Sequence, residues 1–342
     1  MSNPATGFPK TKEGRGEPVL DPGIPIIDCH HHLFDRPALR YMPDDYLEDA
    51  RLGHDIRATV YIETQAFARP SGPETLRPVG EVEFANGVGA MGLSGVFGPC
   101  KIAAAIVGFA DMTLGDRVAE TLDRSMAAAP DRFRGVRQIA LAHPDPNALR
   151  YLTHRPPPDL LKDAGFLAAM RQVAQRGLSF DATVLHLQLP ELERLAARFE
   201  ATPIILDHLG LAFAMDADAA QRAEVFRDWR DKLRALARLP NTICKIGGLG
   251  TMYWGFGFNA REAAATSPEL AAAWRPYVET AIEAFGADRC MMESNFPNDG
   301  RSCGFVPLWN ALKIIVRGAS AAEKAALFHD TAARVYRIAH LA

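Results

Sequence analysis

The stretch Ile24-Pro25-Ile26-Ile27-Asp28-Cys29-His30-His31-His32 sets the terms for reading the rest of the chain. A short apolar run that ends in polar, ligand-type side chains is the pattern of a buried strand whose C-terminal end opens on a site. On extended backbone, residues two apart point the same way, so His30 and His32 present their imidazoles on one side while His31 points elsewhere. Two neutral imidazoles so placed make a two-point metal site. The competing reading is a histidine-rich turn that caps a strand; the apolar run before it and Asp28 beside it favour the functional one.

Outward from this segment, short apolar runs alternate with longer helical stretches. Further strands are expected at Ala58 to Glu63, Ile102 to Gly108, Gly135 to Leu141, Leu178 to Val184, Ile204 to Asp207, Thr242 to Ile246 and Cys290 to Glu293, with Ile24 to Asp28 as the first. Glu191 to Phe199, Ala219 to Leu239 and Pro268 to Phe285 carry apolar residues at three- and four-residue intervals, as outer helices do. Eight such units suit a closed (β/α)₈ TIM barrel over residues 23–342, with an extended, Gly- and Pro-rich N-terminal arm over residues 1–22. An open doubly wound sheet is the alternative, and no GxGxxG follows the first strand to support a dinucleotide site. Phe67 to Gly95, the segment around His154 to Pro158, and the Gly- and aromatic-rich Gly247 to Asn259 are longer than a minimal repeat needs; the last is expected over the barrel mouth.

The chain has 342 residues, 48% of them hydrophobic, and 38 Lys plus Arg against 41 Asp plus Glu for a net charge of −3. Such balance gives no long-range field for nucleic acid or an anionic membrane and leaves a small molecule as the expected partner. Five scattered cysteines without CxxC spacing argue against disulfides or a structural zinc knuckle. Neither a signal-peptide layout nor a membrane-length apolar run is present, so a cytoplasmic protein is expected. A homo-oligomer that uses the N-terminal arm is a further expectation.

Arg137 lies inside an apolar strand, where a cation needs a partner; a guanidinium there either grips a substrate carboxylate by two hydrogen bonds or sits in a buried salt bridge. Glu63, at the end of the second strand, is either an acid/base or ligand, or a capping carboxylate. Glu81 and Glu83 read as helix-capping groups. Lys245 reads as the ion-pair partner of an acidic residue. Tyr253, Trp254, Phe256 and Phe258 either wall a pocket or form a lid or an oligomer contact. His143 follows the fourth strand and is a candidate for the site, while His54, His154, His329 and His340 look ordinary.

Five segments together resemble the amidohydrolase superfamily, in particular its single-domain barrels that include sugar-acid and dicarboxylate lactonases. They are Ile27-Asp28-Cys29-His30-His31-His32, Phe133-Arg134-Gly135-Val136-Arg137-Gln138, Leu206-Asp207-His208-Leu209-Gly210, Cys244-Lys245-Ile246-Gly247-Gly248-Leu249 and Met292-Glu293-Ser294-Asn295-Phe296-Pro297. The resemblance implies that His30 and His32 are metal ligands, that His186 is the fifth-strand histidine, and that His208 is the sixth-strand histidine near the reacting centre. Related enzymes carry an aspartate at the place of Asn295, as a ligand or as the base that activates water. An amide cannot take that proton. Asn295 is then left to orient substrate or water, and Glu293, two residues earlier on the strand, is placed ahead of Asp299 as the substitute base.

The implied activity is hydrolysis of a lactone or ester of a carboxylate-bearing small molecule. A divalent metal, zinc first and manganese second, or a metal-independent arrangement of the same histidines would activate the water. Arg137, Glu63, Tyr253 and His143 are the substrate-binding candidates. Non-oxidative decarboxylation of an aromatic or unsaturated acid is the second enzymatic reading, and a non-catalytic ligand-binding barrel the third.

Overall fold

The computed structural model describes residues 16–36, 39–150, 152 and 155–338. Eight strands form one sheet, each parallel to the next: β1 (Pro25–His31), β2 (Asp55–Ile62), β3 (Lys101–Phe109), β4 (Phe133–Arg137), β5 (Ser179–Ala182), β6 (Ile204–Leu206), β7 (Thr242–Ile246) and β8 (Cys290–Met292). This sequential order is what βα crossovers of one hand produce when each strand is laid beside its predecessor. The ring closes at its C-terminal rim. His31 bridges Phe296 in the parallel sense; the His32 N–H donates to the Phe296 carbonyl at 2.8 Å and the Asn295 N–H to the His30 carbonyl at 2.9 Å. The architecture is the (β/α)₈ barrel, not the open sheet.

Each strand is followed by its helix: α1 (Pro43–Ala50), α2 (Val79–Leu93), α3 (Val118–Ala128), α4 (Ala164–Gln175), α5 (Leu189–Arg198), α6 (Ala219–Leu236), α7 (Ser267–Phe285) and α8 (Phe305–Ile315). The local signals are legible. α5 buries Leu189, Leu192, Leu195 and Ala196 along one stripe, and α6 opens with a capping box in which Asp218 accepts from the Gln221 N–H at 2.9 Å. The stretch 67–95 expected as an insert is the crossover that carries α2. The expected fourth strand stops at Arg137 instead of Leu141, because the Gln138 side chain turns to accept the Met112 N–H at 2.9 Å. Beyond it the Ala140 N–H donates to the Thr183 carbonyl, and the Gln188 side chain accepts from the Ala142 N–H and donates to the Ala140 carbonyl.

Inside the barrel, Ile27, Val60, Val107, Ile205 and Met291 form an apolar plug together with Tyr336 from the C-terminal segment. At the other end of the chain, residues 16–22 of the expected arm run along α8. Leu20 N–H donates to Asn310 Oδ1 at 2.9 Å, Glu17 accepts from Ser267 N–H at 2.9 Å, and residues 1–15 lie outside the described residues. Among those described, no helix is long and apolar enough to cross a membrane.

Lys313 holds this segment down: its ammonium donates to the carbonyls of Leu20 (3.0 Å) and Asp21 (2.9 Å) and contacts His54 Nδ1 at 2.9 Å. Hydrogen bonds from charged donors contribute about 1.5–3 kcal/mol each, so Lys313→Met is expected to cost roughly 2 kcal/mol or more in urea unfolding and to speed protease cleavage within residues 16–22. An unchanged midpoint and cleavage rate would show that the segment docks without Lys313.

Candidate active site

Inward-facing positions at successive strand ends bring five charged or ligand-type residues together with no exposure at all: His30, Asp181, Asp207, Lys245 and Glu293. Lys245 Nζ lies 2.7 Å from Asp181 Oδ2 and 3.0 Å from Asp207 Oδ1, and 3.2 Å from His30 Nδ1. Burial works against the ammonium, but the two carboxylates outweigh it and hold its pKa above the usual lysine range. The ion-pair reading of Lys245 thus acquires two named partners, Asp181 and Asp207. Both are acids in otherwise apolar strand runs, the same signal that singled out Arg137 and Lys245, and the sequence reading passed over them.

One layer higher, the alternation in β1 separates the histidines. His31 turns outward to Thr59 Oγ1 (2.8 Å) and the Tyr46 ring. His30 and His32 share the inner side, with their Nε2 atoms 3.1 Å apart. His32 Nδ1 sits 3.0 Å from the Ile62 carbonyl; a carbonyl only accepts, so Nδ1 carries the proton and Nε2 a lone pair. Burial is the main cause that pushes both imidazoles below their ordinary range, which keeps them neutral and able to ligate.

His208 and Glu293 form a dyad, with His208 Nδ1 2.5 Å from Glu293 Oε1. Glu293 raises the imidazole pKa against the effect of burial. In return His208, and then His30, draw the buried carboxyl down to about 2. His208 lines a cavity of about 930 Å³ whereas Glu293 does not, so Nε2 is the nitrogen left to face the cavity. The second carboxylate oxygen, Oε2, is 3.1 Å from His30 Nδ1 yet has no well-formed hydrogen bond. Gly247 and Gly248 make the dyad possible. A Cβ on Gly247 would overlap the Glu293 side chain, and one on Gly248, which also has φ +62°, would overlap the His208 ring.

Arg137 also reaches the cavity floor, but Glu63 takes two of its three nitrogens: Nε donates to Glu63 Oε1 at 2.9 Å and one Nη to the Glu63 carbonyl at 2.7 Å, while the other Nη lies 3.3 Å from His30 Nε2. Of the two alternatives for Arg137, the structure shows the buried salt bridge, and Glu63 is its partner. Asn295 lines the cavity, its amide donating to Asp299 Oδ1 at 2.8 Å while Asp299 Oδ2 accepts from Gly250 N–H. Tyr253 lines the cavity as well, whereas Trp254 and Phe256 pack on Tyr277 of α7 and do not wall it.

Two candidates are not brought to this cluster. β5 ends at Ala182 and the chain turns into a short helical turn at His186–Gln188, which packs on α6. His186 Nδ1 accepts the Phe213 N–H at 3.1 Å and its Nε2 faces Asp228 at 3.5 Å; Thr183 takes the cavity-facing position instead. His143 folds back on its own loop, accepting the Asp145 N–H at 3.0 Å. Glu81 and Glu83 do not cap their helix: Glu81 accepts from Tyr61, Thr64 and Gln65, and Glu83 pairs with Arg69 at the surface.

The amidohydrolase family model matches residues 27–338. Protein y4mH of Sinorhizobium fredii is 34% identical over 337 residues, covering 92% of this chain and 99% of that protein. An L-fucono-1,5-lactonase of Burkholderia multivorans is 29% identical over 245 residues, 69% of this chain and 72% of that one. Among solved structures, an amidohydrolase from Burkholderia multivorans with bound zinc is similar in fold, with a TM-score of 0.70 and 23% identity over 91% of this chain and 99% of that one.

Gly248→Ala is expected to cost roughly 2–4 kcal/mol in chemical unfolding, from the left-handed backbone and the overlap with His208 together. Gly87→Ala, in α2 with nothing near the added methyl, should instead gain about 0.5–1 kcal/mol. Equal effects at the two positions would refute the close-approach role given to Gly248.

Proposed function

The chain belongs to the amidohydrolase family, and from that premise we propose that it opens a lactone or ester of a carboxylate-bearing small molecule by attack of an activated water. The observation that carries this reading is the His208–Glu293 dyad at the cavity floor beside the His30–His32 pair. Glu293 is fully buried, so it acts through His208: it fixes the proton on Nδ1 and stabilises the imidazolium. His208 Nε2 is then the base that takes a proton from water as the oxygen attacks the carbonyl carbon. When the ring C–O bond breaks, the same imidazolium returns the proton to the departing alkoxide, and the product is a hydroxy acid. Arg137, whose Nε and one Nη are taken by Glu63, has its other N–H donors left for the carbonyl oxygen as that atom gains charge. Asn295 orients water or substrate.

The residues present fit a divalent ion. Donor atoms of His30, His208 and Glu293 lie within 4.8 Å of one another, and the His32 lone pair adds a third nitrogen; with His208 kept for proton transfer, His30, His32 and Glu293 are the residues that would hold the ion. One Glu293 oxygen lacks a hydrogen-bond donor. Around them, the buried carboxylates of Glu63, Asp181, Asp207 and Glu293 outnumber the cations Lys245 and Arg137, which favours a bound cation. This nitrogen-rich set suits zinc before manganese. Such an ion would polarise the carbonyl and acidify water.

Metal analysis of protein purified without chelator or affinity-tag metal is expected to find close to one zinc or manganese per chain, lost in His30→Ala/His32→Ala. Absence of metal from active protein, with no response to chelator, would leave the dyad to act alone. Glu293→Gln keeps the shape but not the charge, and is expected to lower kcat for lactone hydrolysis by about 10²–10⁴-fold. Retained turnover in that variant would remove the dyad from the mechanism. Release of carbon dioxide, instead of acid, from candidate substrates would assign the second, decarboxylating chemistry.

A further inference from the structure

The cavity says more about the substrate than its floor does. At about 930 Å³ it lies near the top of the ~300–1,000 Å³ range of clefts that enclose drug-sized ligands, far more room than a single sugar ring needs. Its chemistry is layered. Buried polar groups make the floor, among them His32, Arg137, His208 and Asn295. Above them one wall is apolar, built from Ile139, Leu141, Leu152, Leu211 and Tyr253, and Phe34 and Leu39 face the cavity from the short antiparallel pair after β1. Three arginines, Arg36, Arg155 and Arg301, reach the cavity from partly or fully exposed positions.

The charges at these two levels differ in what they can do for a ligand. Arg137 at the floor is neutralised by Glu63 at 2.9 Å. Arg36 is fixed by donating to the Thr64 carbonyl at 2.7 Å, which orients the guanidinium without cancelling its charge. The acid lining the upper cavity, Asp111, accepts from the Thr113 N–H and hydroxyl and keeps its charge, one carboxylate against three guanidiniums. The mouth is therefore cationic in a chain whose net charge is −3, and the wall beneath it is apolar.

On the hydrolase reading above, we propose that the substrate is an anionic amphiphile: a lactone that carries an extended aryl or alkyl body, with an acidic group held at the mouth by Arg36 and Arg155. The scissile carbonyl sits over His208, the apolar body lies along Leu141, Leu152 and Tyr253, and the acid lies between the arginines. A small polar sugar lactone would fill only the floor and leave the wall wet.

The test compares three probes, glucono-1,5-lactone, dihydrocoumarin and a dihydrocoumarin that carries a ring carboxylate. Hydrolysis is followed by acid release, and the ring-opened acid of each probe is titrated calorimetrically against the same protein. The carboxylated aryl lactone is expected to exceed gluconolactone in kcat/KM by at least about 30-fold, from burial of the ring against the wall. Arg36→Ala/Arg155→Ala should raise KM for the carboxylated probe by about tenfold, and for the uncharged aryl probe by no more than about threefold. High salt should weaken the carboxylated probe selectively. Gluconolactone turned over as well as the aryl lactones, with its acid bound as tightly, would overturn the amphiphile while leaving the hydrolase intact. Arginine-dependent binding of the aryl diacid without hydrolysis of any lactone would retain the ligand class and remove the hydrolase. No binding and no turnover with all three would overturn both.

Discussion

Lys245 places an ammonium at the centre of the barrel, 2.7 Å from Asp181 and 3.0 Å from Asp207, with all three side chains out of contact with water. Desolvating one such charge costs several kcal/mol, and only close, fully bonded partners offset it. Each carboxylate is close to the ammonium and is held by a hydroxyl donor as well. Tyr336 OH donates to Asp181 Oδ2 at 2.6 Å from the C-terminal plug, and Thr183 Oγ1 donates to Asp207 Oδ2 at 2.7 Å. The triad thus ties β5, the end of β6 and β7 into one register, because a slip of one residue in any of them would strand a buried charge. His30, 3.2 Å from the same ammonium, inherits its position from this arrangement.

The barrel seam is built on a second buried acid. Asp28 accepts from Ser294 N–H (2.8 Å), Ser294 OH (2.5 Å) and Tyr46 OH (2.8 Å). Burial pushes its carboxyl up to about 6 in spite of these donors. The contact joins the first strand to the segment after the last one, immediately below His30 and Asn295. Close by, the backbone takes left-handed conformations at residues with side chains: His208 (φ +52°), Leu209 (φ +54°), Leu211 (φ +34°) and Asn295 (φ +52°). Such geometry persists only where packing over-determines it. Trp229 Nε1–H donating to the Leu209 carbonyl at 2.7 Å is part of that restraint. Strain of this kind aims His208 into the cavity, where a regular strand end would send it elsewhere.

The apolar runs made all eight strands legible, and the period-two rule separated His31 from its neighbours, because both depend on local backbone periodicity alone. Partnerships across the barrel were not legible in the same way. Arg137 reads as a substrate clamp or as an ion pair, and nothing in its own strand names Glu63, 74 residues away, as the partner it has. His186 follows a strand as a ligand would, but β5 ends at Ala182 and the turn after it rotates the ring onto α6. Aromatic density in the loop of residues 247–259 leaves a pocket wall, a lid and an oligomer contact open, and of its four aromatic residues Tyr253 alone lines the cavity. Trp254 and Phe256 pack on Tyr277 of α7, and Phe258 packs on Phe256.

Asn295 and Glu293 make sense as one arrangement. The resemblance implies an acid at position 295, and an amide there cannot act as a base. Its side chain instead donates to Asp299, which in turn accepts from Gly250 and shapes the loop over the site. The acid stands two residues earlier and one methylene longer, in space that exists because Gly247 has no side chain. That space is fully buried, so the carboxylate does not meet a substrate directly. It meets His208 at 2.5 Å, and the histidine carries its charge effect to the cavity. On the proposed mechanism, the acid moved inward acts as a supporting group and not as the direct base, and proton transfer depends on the imidazole, held by two glycines and a left-handed backbone.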